Sequence, residues 1–361
     1  MDQSLIYPYL IEPLEVEAIW GGHALAREYG KKADPKVKVG ESWECWDKNV
    51  VANGPLQGSS IAELRERLGG TLLGDLDPTQ MFPILTKIID ARGSLSVQVH
   101  PDDAYAQRVE HQANGKTESW FILGAEPGAE LILGWARDTD REEYLRRVAE
   151  GSLADILRRV PVQPGDAFYL PAGTLHAIGA GIILFETQQA SDLTYRIFDW
   201  NRVDANGKPR ALHADRAADV LDWKRSTAGA ISELSYVYDG LARTALIADR
   251  RFVVERIALK PEVRYVSTDG RPLVIMALDQ RIELECNGVP SSVKPYQTVL
   301  IPAAAKRLAI SGTPSANILL ATPLGSNSLE HRLESVNINS RVITRFMAQF
   351  TPATGMETSR R

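Results

Sequence analysis

The residues best suited to chemistry in this chain are histidines and carboxylates in short strand-like segments. From Leu95 to His100, apolar residues stand at the odd positions and polar residues at the even ones. Because side chains alternate across a β-strand, Ser96, Gln98 and His100 would share one face while the apolar residues pack on the other. An imidazole on such a face can bind a metal ion, although a solvated strand would show the same alternation.

A second strand and a sharp bend could bring further ligands to this face. Lys116 and Glu118 stand two residues apart, so they would project to a common side of their strand. Between Gly165 and His176 a turn glycine precedes a strand-like run, and a Pro-Ala-Gly sequence then bends the chain. We expect the chain to start a new strand after this bend, with His176 facing the same interior cavity as His100.

The stretch from Gly165 to His176 matches the second motif of the cupin superfamily: Gly, five residues, Pro, any residue, Gly, two residues, His. The first cupin motif, His-any-His followed by Glu, resembles Gln98-Val-His100 with Glu118, with glutamine in place of the first histidine. Cupins are jelly-roll barrels that hold a metal ion inside. The resemblance therefore implies a metal site formed by Gln98, His100, Glu118 and His176.

This ligand set favours zinc without requiring it. Two imidazoles and a carboxylate form catalytic zinc sites in which one position stays open for water or substrate. Iron(II) also binds to two histidines and one carboxylate in non-haem oxygenases. The remaining histidines have no ligand-type partner at short spacing and are predicted to serve packing or the surface: His23, His111, His213 and His331.

Many short strands must position these residues. Runs bounded by Gly and Pro predict a mainly β fold of sandwich or barrel type. The predicted strands include 94–99, 119–123, 131–134, 167–170, 182–187, 194–198, 273–277, 281–285, 298–301 and 317–321. Helices are predicted at 60–68 and 139–150, with Ser60 and Glu63, and Thr139 and Glu142, at capping-box spacing. Further helices are predicted at 102–111, at 152–160 and near 341–350, which is the only one predicted in the last third.

We expect two cupin-like jelly-roll barrels, with helical segments attached to the first. The predicted domains are a catalytic, metal-binding domain at 1–235, a small β domain at 236–325, and a C-terminal tail at 326–361. The second barrel would hold no similar metal, since His331 is the only histidine after His213. The final residues, 351–361, are predicted to be disordered.

Composition limits the partners that we expect. The net charge of -5 disfavours nucleic acid, because proteins that bind it through their overall charge are basic. No apolar run approaches the roughly 18 residues of a membrane-spanning helix, and the N-terminus lacks a signal-peptide pattern. Two distant cysteines, Cys45 and Cys286, exclude a disulfide framework and are predicted to be buried. We expect a cytoplasmic monomer or homodimer with no membrane partner.

Five segments resemble the type I mannose-6-phosphate isomerase family in its short bacterial form. They are Ile-Trp-Gly-Gly at 19–22, Gly-Glu-Ser-Trp-Glu at 40–44, residues 83–101, Gly-Lys-Thr-Glu-Ser-Trp at 115–120, and residues 171–196. The glutamine that replaces the first cupin histidine points to the same group. The resemblance implies one zinc ion per chain, conversion between mannose 6-phosphate and fructose 6-phosphate, and an active-site arginine at Arg196.

Aldose–ketose isomerisation requires a base for a carbon-bound proton, an electrophile for the oxygens and an anchor for the phosphate. The base is predicted to be Lys116 or Glu186, and the sequence leaves both open. A nearby metal charge would favour the neutral amine of Lys116, and burial after an apolar run would make Glu186 more basic. Either residue could instead form a structural salt bridge. The resemblance implies substrate contacts from Ser96 and Lys87, which would bind the phosphate, and from Asp192 and Trp20.

Two other functions are compatible with a cupin fold. A non-catalytic sugar-phosphate-binding protein would be expected to lack Arg196 or a metal ligand, and neither is missing. An iron-dependent oxygenase would have no need for Lys87, Lys116 and Arg196 around the cavity. These cations suit a phosphate-bearing polyol, so the sequence favours the isomerase.

Overall fold

Strands dominate the computed structural model, which describes residues 2–32, 34, 36–200, 202–203 and 207–350. The predicted mainly β fold is confirmed. The strands are β1 Tyr9–Glu12, β2 Leu14–Gly22, β3 Val39–Cys45, β4 Val50–Val51, β5 Ile84–Ala91, β6 Val97–Val99, β7 Glu118–Ala125, β8 Glu130–Trp135, β9 Leu157–Pro161, β10 Ala167–Leu170, β11 His176–Ile178, β12 Ile182–Gln189, β13 Tyr195–Phe198, β14 Leu234–Tyr238, β15 Leu241–Ala248, β16 Phe252–Ala258, β17 Arg264–Ser267, β18 Leu273–Ala277, β19 Ile282–Cys286, β20 Val289–Val293, β21 Thr298–Ile301, β22 Arg307–Gly312 and β23 Asn317–Pro323.

Helices are fewer and mostly short. They are α1 Ala24–Arg27, α2 Ile61–Leu68, α3 Gly70–Leu73, α4 Asp103–Tyr105, α5 Arg141–Glu150, α6 Ala214–Val220, α7 Ser326–Ser335 and α8 Ser340–Met347. A π-helical turn, Ala106–Glu110, continues α4, so the helix predicted at 102–111 is present in two parts. None of the helices in the described part of the chain combines the length and apolar character that a membrane crossing requires.

The chain folds into two units, and each unit is built from separate segments of the sequence. The central unit comprises residues 15–42 and 87–230, and the terminal unit comprises residues 1–14, 43–86 and 231–361. The predicted domains, 1–235, 236–325 and 326–361, stay a prediction. The predicted disorder of 351–361 lies outside the described residues.

The central unit contains two sheets. One has six strands in the order β10-β7-β12-β5-β3-β2, and the other has five in the order β13-β6-β11-β8-β9. In the first sheet β7 pairs antiparallel with β10 and β12, and in the second β11 pairs antiparallel with β6 and β8. One apolar cluster includes Trp20 and Trp120, and another includes Val97 and Val99. Both clusters fix strands that carry the candidate site.

The terminal unit also contains two sheets. Their strand orders are β14-β15-β16-β23-β18-β21-β1-β4 and β17-β22-β19-β20. Helix α7 is tied to this unit by Arg332, whose guanidinium lies 2.7 Å from Glu255 and 2.8 Å from Asp269. Glu255 is fully buried and also contacts Arg243, at 3.6 Å, and the hydroxyl of Tyr236. A buried carboxylate needs such partners, since burial without them is costly.

Two helices predicted from capping signals are present, one with a different cap. At α2 the Ser60 hydroxyl accepts from the backbone N–H of Glu63, and the Glu63 carboxylate accepts from the N–H of Ser60, which confirms the capping box. At α5 the predicted cap at Thr139 is wrong by one residue. Asp140 accepts from the N–H of Glu143 at 2.8 Å, because a carboxylate also complements the positive helix N-terminus.

Two other helix predictions are wrong. Residues 152–160 form a short 3-10 turn, Leu153–Ile156, and then strand β9, because pairing with β8 overrides an apolar spacing that also suits a helix. In the last third, α7 lies where only a tail was predicted. Leu329 and Leu333 are four residues apart on α7 and both are buried, so a helical signal was present. Cys45 and Cys286 are both buried, as predicted, and neither forms a disulfide.

Candidate metal centre

Three ligand-type side chains converge in the central unit. One ligand atom each from His100, Glu118 and His176 lies within 4.8 Å of the others, and all three residues are buried. His100 directly follows β6 and His176 begins β11, and these strands are neighbours in the five-stranded sheet. Glu118 begins β7 in the six-stranded sheet. The three residues therefore meet from two sheets.

A tight bend explains the placement of His176. Gly173 has a φ of 87°, which residues with a side chain rarely adopt. Its N–H donates to the main-chain carbonyl of His100 at 2.9 Å, so the bend is bonded to the end of β6. Gln98 and His176 then stand directly opposite each other across β6 and β11. This register directs both side chains to the same face.

The alternation along β6 is shorter than predicted. The polar face is buried, since Ser96 is 4% exposed and His100 is 2% exposed. Val97 and Val99 pack together on the opposite face, but Leu95 belongs to the other apolar cluster of the unit. The prediction for Leu95 is therefore wrong, because the strand begins only at Val97.

Hydrogen bonds fix both imidazoles in one tautomer. Nδ1 of His100 lies 2.7 Å from the carbonyl oxygen of Leu193, and Nδ1 of His176 lies 2.9 Å from that of Thr174. A carbonyl oxygen only accepts, so both Nδ1 atoms carry the proton and both Nε2 atoms present a lone pair. The Nε2 atoms lie 3.3 and 3.4 Å from the two carboxylate oxygens of Glu118. Backbone carbonyls commonly orient metal-binding histidines in this way.

The charges and unsatisfied atoms of this cluster fit a divalent cation. Nε2 of His100 and Oε2 of Glu118 are buried without a hydrogen-bond partner, and Oε1 of Glu118 is buried against Lys116. Burial, and next the charge of Lys116, lowers the pKa of His100 to about 3, and burial lowers the pKa of His176. Burial opposes the charge of Glu118, but Lys116 holds the pKa of that carboxyl well below its ordinary value. Two neutral imidazoles and a carboxylate are ligands that zinc accepts.

Gln98, the fourth predicted ligand, stands beside this cluster. Its amide nitrogen lies 3.2 Å from Nε2 of His176, and its side chain is half-buried. Only the amide oxygen can bind a cation, so ligation by Gln98 requires the amide to turn by half a rotation. The two ends of an amide are nearly equal in size, so this turn needs no other movement.

Two buried groups near the cluster could transfer protons. Lys116 Nζ lies 2.8 Å from a carboxylate oxygen of Glu118, and the lysine is 6% exposed. Glu186 is also buried and accepts a 2.8 Å hydrogen bond from the indole N–H of Trp120. Burial, and next the charge of Glu118, raises the pKa of Glu186, while Lys87 opposes that shift. The carboxylate of Glu186 is therefore more basic than that of Glu118.

Lys87 is held between two carboxylates. Its Nζ lies 3.2 Å from Glu41 and 3.3 Å from Glu186. Burial alone would lower the pKa of Lys87, but the two carboxylates raise it above its ordinary value. Its predicted contact with phosphate stays a prediction. Sequence reasoning assigned no role to Glu41, although it lies in the family-like segment 40–44.

Arg196 continues the row of side chains that starts at His176. It stands directly opposite Gln98 across β13 and β6, so Arg196, Gln98 and His176 lie side by side on three neighbouring strands. Its Nε donates to the Ser96 hydroxyl at 3.3 Å. Burial, and next the charge of Arg210, lowers the pKa of Arg196. The structure thus brings Arg196 and Ser96 to the edge of the cluster formed by the candidate metal ligands.

The two remaining predicted substrate contacts, Asp192 and Trp20, lie in different environments. Asp192 is exposed and precedes β13 by three residues. Trp20 is 8% exposed and packs in the apolar cluster with Trp120.

Sequence reasoning also missed an ion cluster at the end of β13, in which Asp199 bonds to Arg202 and Arg210. No local sequence pattern predicted this cluster, because neither arginine lies on a helix or strand.

Comparisons with known proteins agree on one family. A model of the phosphomannose isomerase type I catalytic domain matches residues 11–119. The mannose-6-phosphate isomerase of Streptococcus mutans is 39% identical over 285 residues, covering 75% of this chain and 86% of that relative. Mannose-6-phosphate isomerase ManA of Bacillus subtilis is 45% identical over 222 residues, covering 60% of this chain and 68% of that relative.

Solved structures lead to the same conclusion. The crystal structure of the mannose 6-phosphate isomerase from Bacillus subtilis matches with a TM-score of 0.79 at 31% identity. The match covers 87% of this chain and 99% of that chain. A putative mannosephosphate isomerase from Archaeoglobus fulgidus, at 20% identity and a TM-score of 0.71, shares the fold. On this similarity over most of its length, the chain belongs to the mannose-6-phosphate isomerase family.

Proposed function

We propose that this protein is a metal-dependent aldose–ketose isomerase that interconverts mannose 6-phosphate and fructose 6-phosphate through an enediol intermediate. The observation that carries the proposal is the buried cluster of His100, Glu118 and His176, with ligand atoms within 4.8 Å of one another. Arg196 and two buried candidate bases border the same cluster. A binding protein that only held a sugar phosphate would not need this combination.

Zinc is the proposed cofactor, held by His100, His176, Glu118 and the amide oxygen of Gln98. The support is the chemistry of the donors: two imidazoles with Nε2 lone pairs directed at one carboxylate. A divalent cation bound there acts as a Lewis acid that polarises the oxygens of the substrate. Iron(II) would accept the same donors, so metal analysis of the purified protein distinguishes the two.

Glu186 fits the role of base more directly than Lys116. Isomerisation moves a proton between C1 and C2, and the best base has a pKa near the working pH. Burial raises the pKa of Glu186 in that direction. Lys116 would first have to leave its 2.8 Å ion pair with Glu118. Lys116 is then better suited to orient that ligand.

Arg196 and Ser96 are the proposed contacts for the oxygens of the substrate. A guanidinium can donate several hydrogen bonds to charge that develops on an enediolate, which stabilises the transition state. Ser96 lies 3.3 Å from Arg196 and would contact the phosphate. Arg202 and Arg210 share the single carboxylate of Asp199 at the end of the same strand, so the group keeps a net positive charge that attracts an anion.

We further propose that both units are cupin-like jelly rolls. Each unit contains two antiparallel sheets, and in the central unit the candidate ligands come from both of them. The terminal unit would bind no metal, since the one group of candidate ligands in the described part of the chain lies in the central unit. The working form is proposed to be a cytoplasmic monomer or homodimer whose partner is the sugar phosphate alone.

A coupled assay tests the function. Purified protein is incubated with mannose 6-phosphate, and fructose 6-phosphate is measured before and after chelation and after zinc or iron(II) is returned. We expect turnover that chelation abolishes and zinc restores. Turnover absent from metal-replete protein would refute the isomerase, and tight binding without turnover would support the sugar-phosphate binder instead.

A further inference from the structure

Arg196 lies on the outermost strand of the five-stranded sheet. Among the residues that the structure describes, strand β13 pairs with β6 on one side and has no neighbouring strand on the other. In an antiparallel pair, the N–H and C=O of one residue point to the same side. Every second residue of an edge strand therefore points both groups away from its neighbour strand, where they need partners from elsewhere, and Arg196 is such a residue.

His213 supplies both partners. The main-chain N–H of Arg196 donates to Nδ1 of His213 at 3.1 Å, and the main-chain N–H of His213 donates to the carbonyl of Arg196 at 2.7 Å. One residue thus takes the place of a neighbouring strand. Because an N–H only donates, Nδ1 of His213 must be unprotonated, with its proton on Nε2. Burial, and next the charge of Arg196, lowers the pKa of His213, which favours this neutral form.

The same segment also holds the arginine side chain. Nη1 of Arg196 donates to the carbonyl oxygen of Ala211 at 3.3 Å, while Nε donates to Ser96 at 3.3 Å. The guanidinium is therefore fixed from both sides. Two residues of one short segment, Ala211 and His213, bond to the backbone and to the side chain of Arg196.

Helix α6 anchors this segment to the core. Its residues Ala217, Ala218 and Val220 are buried in the cluster that also holds Val97 and Val99. His213 is the residue that precedes α6, where a side chain usually caps the helix, but its imidazole makes no capping bond. The ring is committed to Arg196 instead.

We propose that His213 is a positioning residue for the isomerisation, holding Arg196 in register beside Gln98 and His176. The inference rests on the proposed function, since it acts through the arginine that would contact the enediolate. Displacement of a contact by about 1 Å can cost about 100-fold in rate. The effect should fall on kcat, because the contact is made mainly in the transition state.

Isosteric substitutions test the proposal. In His213→Asn the side-chain oxygen falls near the position of Nδ1 and can accept the same bond, whereas in His213→Gln it falls near Nε2 and cannot. We expect His213→Gln to lower kcat about 10- to 100-fold with KM changed less than about threefold, and His213→Asn to stay within about threefold of wild type. His213→Leu should behave like His213→Gln, and Leu212→Ala, on the exposed neighbour, should match wild type.

A double substitution checks that the effect passes through Arg196. In an Arg196→Ala background, His213→Gln should cause less than a twofold further loss, since the group it positions is gone. Equal kcat in all His213 variants, or a full further loss in the Arg196→Ala background, would overturn the proposal. Should His213→Leu fail to fold, the Asn and Gln pair carries the comparison. A wild-type protein without turnover would instead refute the proposed function, so the two failures are distinguishable.

Discussion

Trp120 and Glu186 stand directly opposite each other on β7 and β12, and the indole N–H of Trp120 donates to the Glu186 carboxylate at 2.8 Å. Both side chains are buried, so this bond fixes the carboxylate in one orientation. It also stabilises the ionised form that a base requires. The strand register therefore controls the basicity of the proposed base.

Replacement of Trp120 by phenylalanine should raise the pH at which the enzyme becomes active. Loss of the indole donor destabilises the ionised carboxylate of Glu186, whose pKa is already raised by burial. The ionised base is then present only at higher pH, so the acidic limb of kcat/KM should move upward by about one pH unit. Trp223→Phe, at a half-buried tryptophan of another cluster, is the matched control. An unchanged limb would point to Lys116 as the base.

Removal of one imidazole should empty the centre of metal. We expect His176→Ala to bind zinc at least 100-fold more weakly than wild type and to lose turnover, since even outer contacts to metal ligands contribute 10- to about 100-fold. His331→Ala, at an exposed histidine on α7, should retain both properties. Elemental analysis with a parallel activity assay measures the result. Full metal content in His176→Ala would show that another set of donors holds the ion.

The metal-free protein should lose stability on mild acidification. The folded pKa of His100 is about 3, below the ordinary value near 6.5, so the unfolded chain binds the proton more readily. The contribution of His100 to the free energy of unfolding is fully present above about pH 6.5, and it declines as the pH falls towards about 3. His176, whose pKa is also lowered, acts in the same direction.

Urea unfolding measures this pH dependence. Between pH 7 and pH 5, His100 alone should reduce the free energy of unfolding by about 2 kcal/mol. The double variant His100→Gln with His176→Gln should show a smaller slope, and His331→Gln should keep the slope of wild type. The same slope in the double variant would mean that other groups cause the loss.

Arg332 should be the most important side chain of α7 for stability. Its removal leaves the buried carboxylate of Glu255 with Arg243 alone, at 3.6 Å, as its charged partner. We expect Arg332→Ala to lower the free energy of unfolding by about 3 kcal/mol. Arg345→Ala, on the exposed side of α8, should change it by less than about 0.5 kcal/mol. Equal midpoints for the two variants in thermal unfolding would contradict this assignment.

Local rules predicted that Gln98, His100 and His176 would face one another. Strand alternation placed Gln98 and His100 on one face, and the Pro-Gly bend directed His176 towards them. The family resemblance placed Glu118 in the same ligand set, but its position on another sheet was not predicted, because no local rule states which sheets face each other. The strand boundary was less accurate: Leu95 falls outside β6 and packs elsewhere.

Contacts between distant segments could not be predicted. Glu41 and Lys87 are 46 positions apart and meet only after the sheet has formed, and the bond between His213 and Arg196 depends on which strand lies at the edge. Helix α7 was missed because its Ser- and Asn-rich sequence obscured two well-spaced leucines.

The rings of His100 and His176 are both oriented by main-chain oxygens, those of Leu193 and Thr174. Every amino acid carries the same carbonyl group, so other residues at these two positions would keep the acceptor as long as the chain follows the same path. The aim of the two imidazoles is therefore encoded in backbone geometry. Substitution of the Leu193 or Thr174 side chain can therefore be neutral, because it leaves the orientation of both rings unchanged.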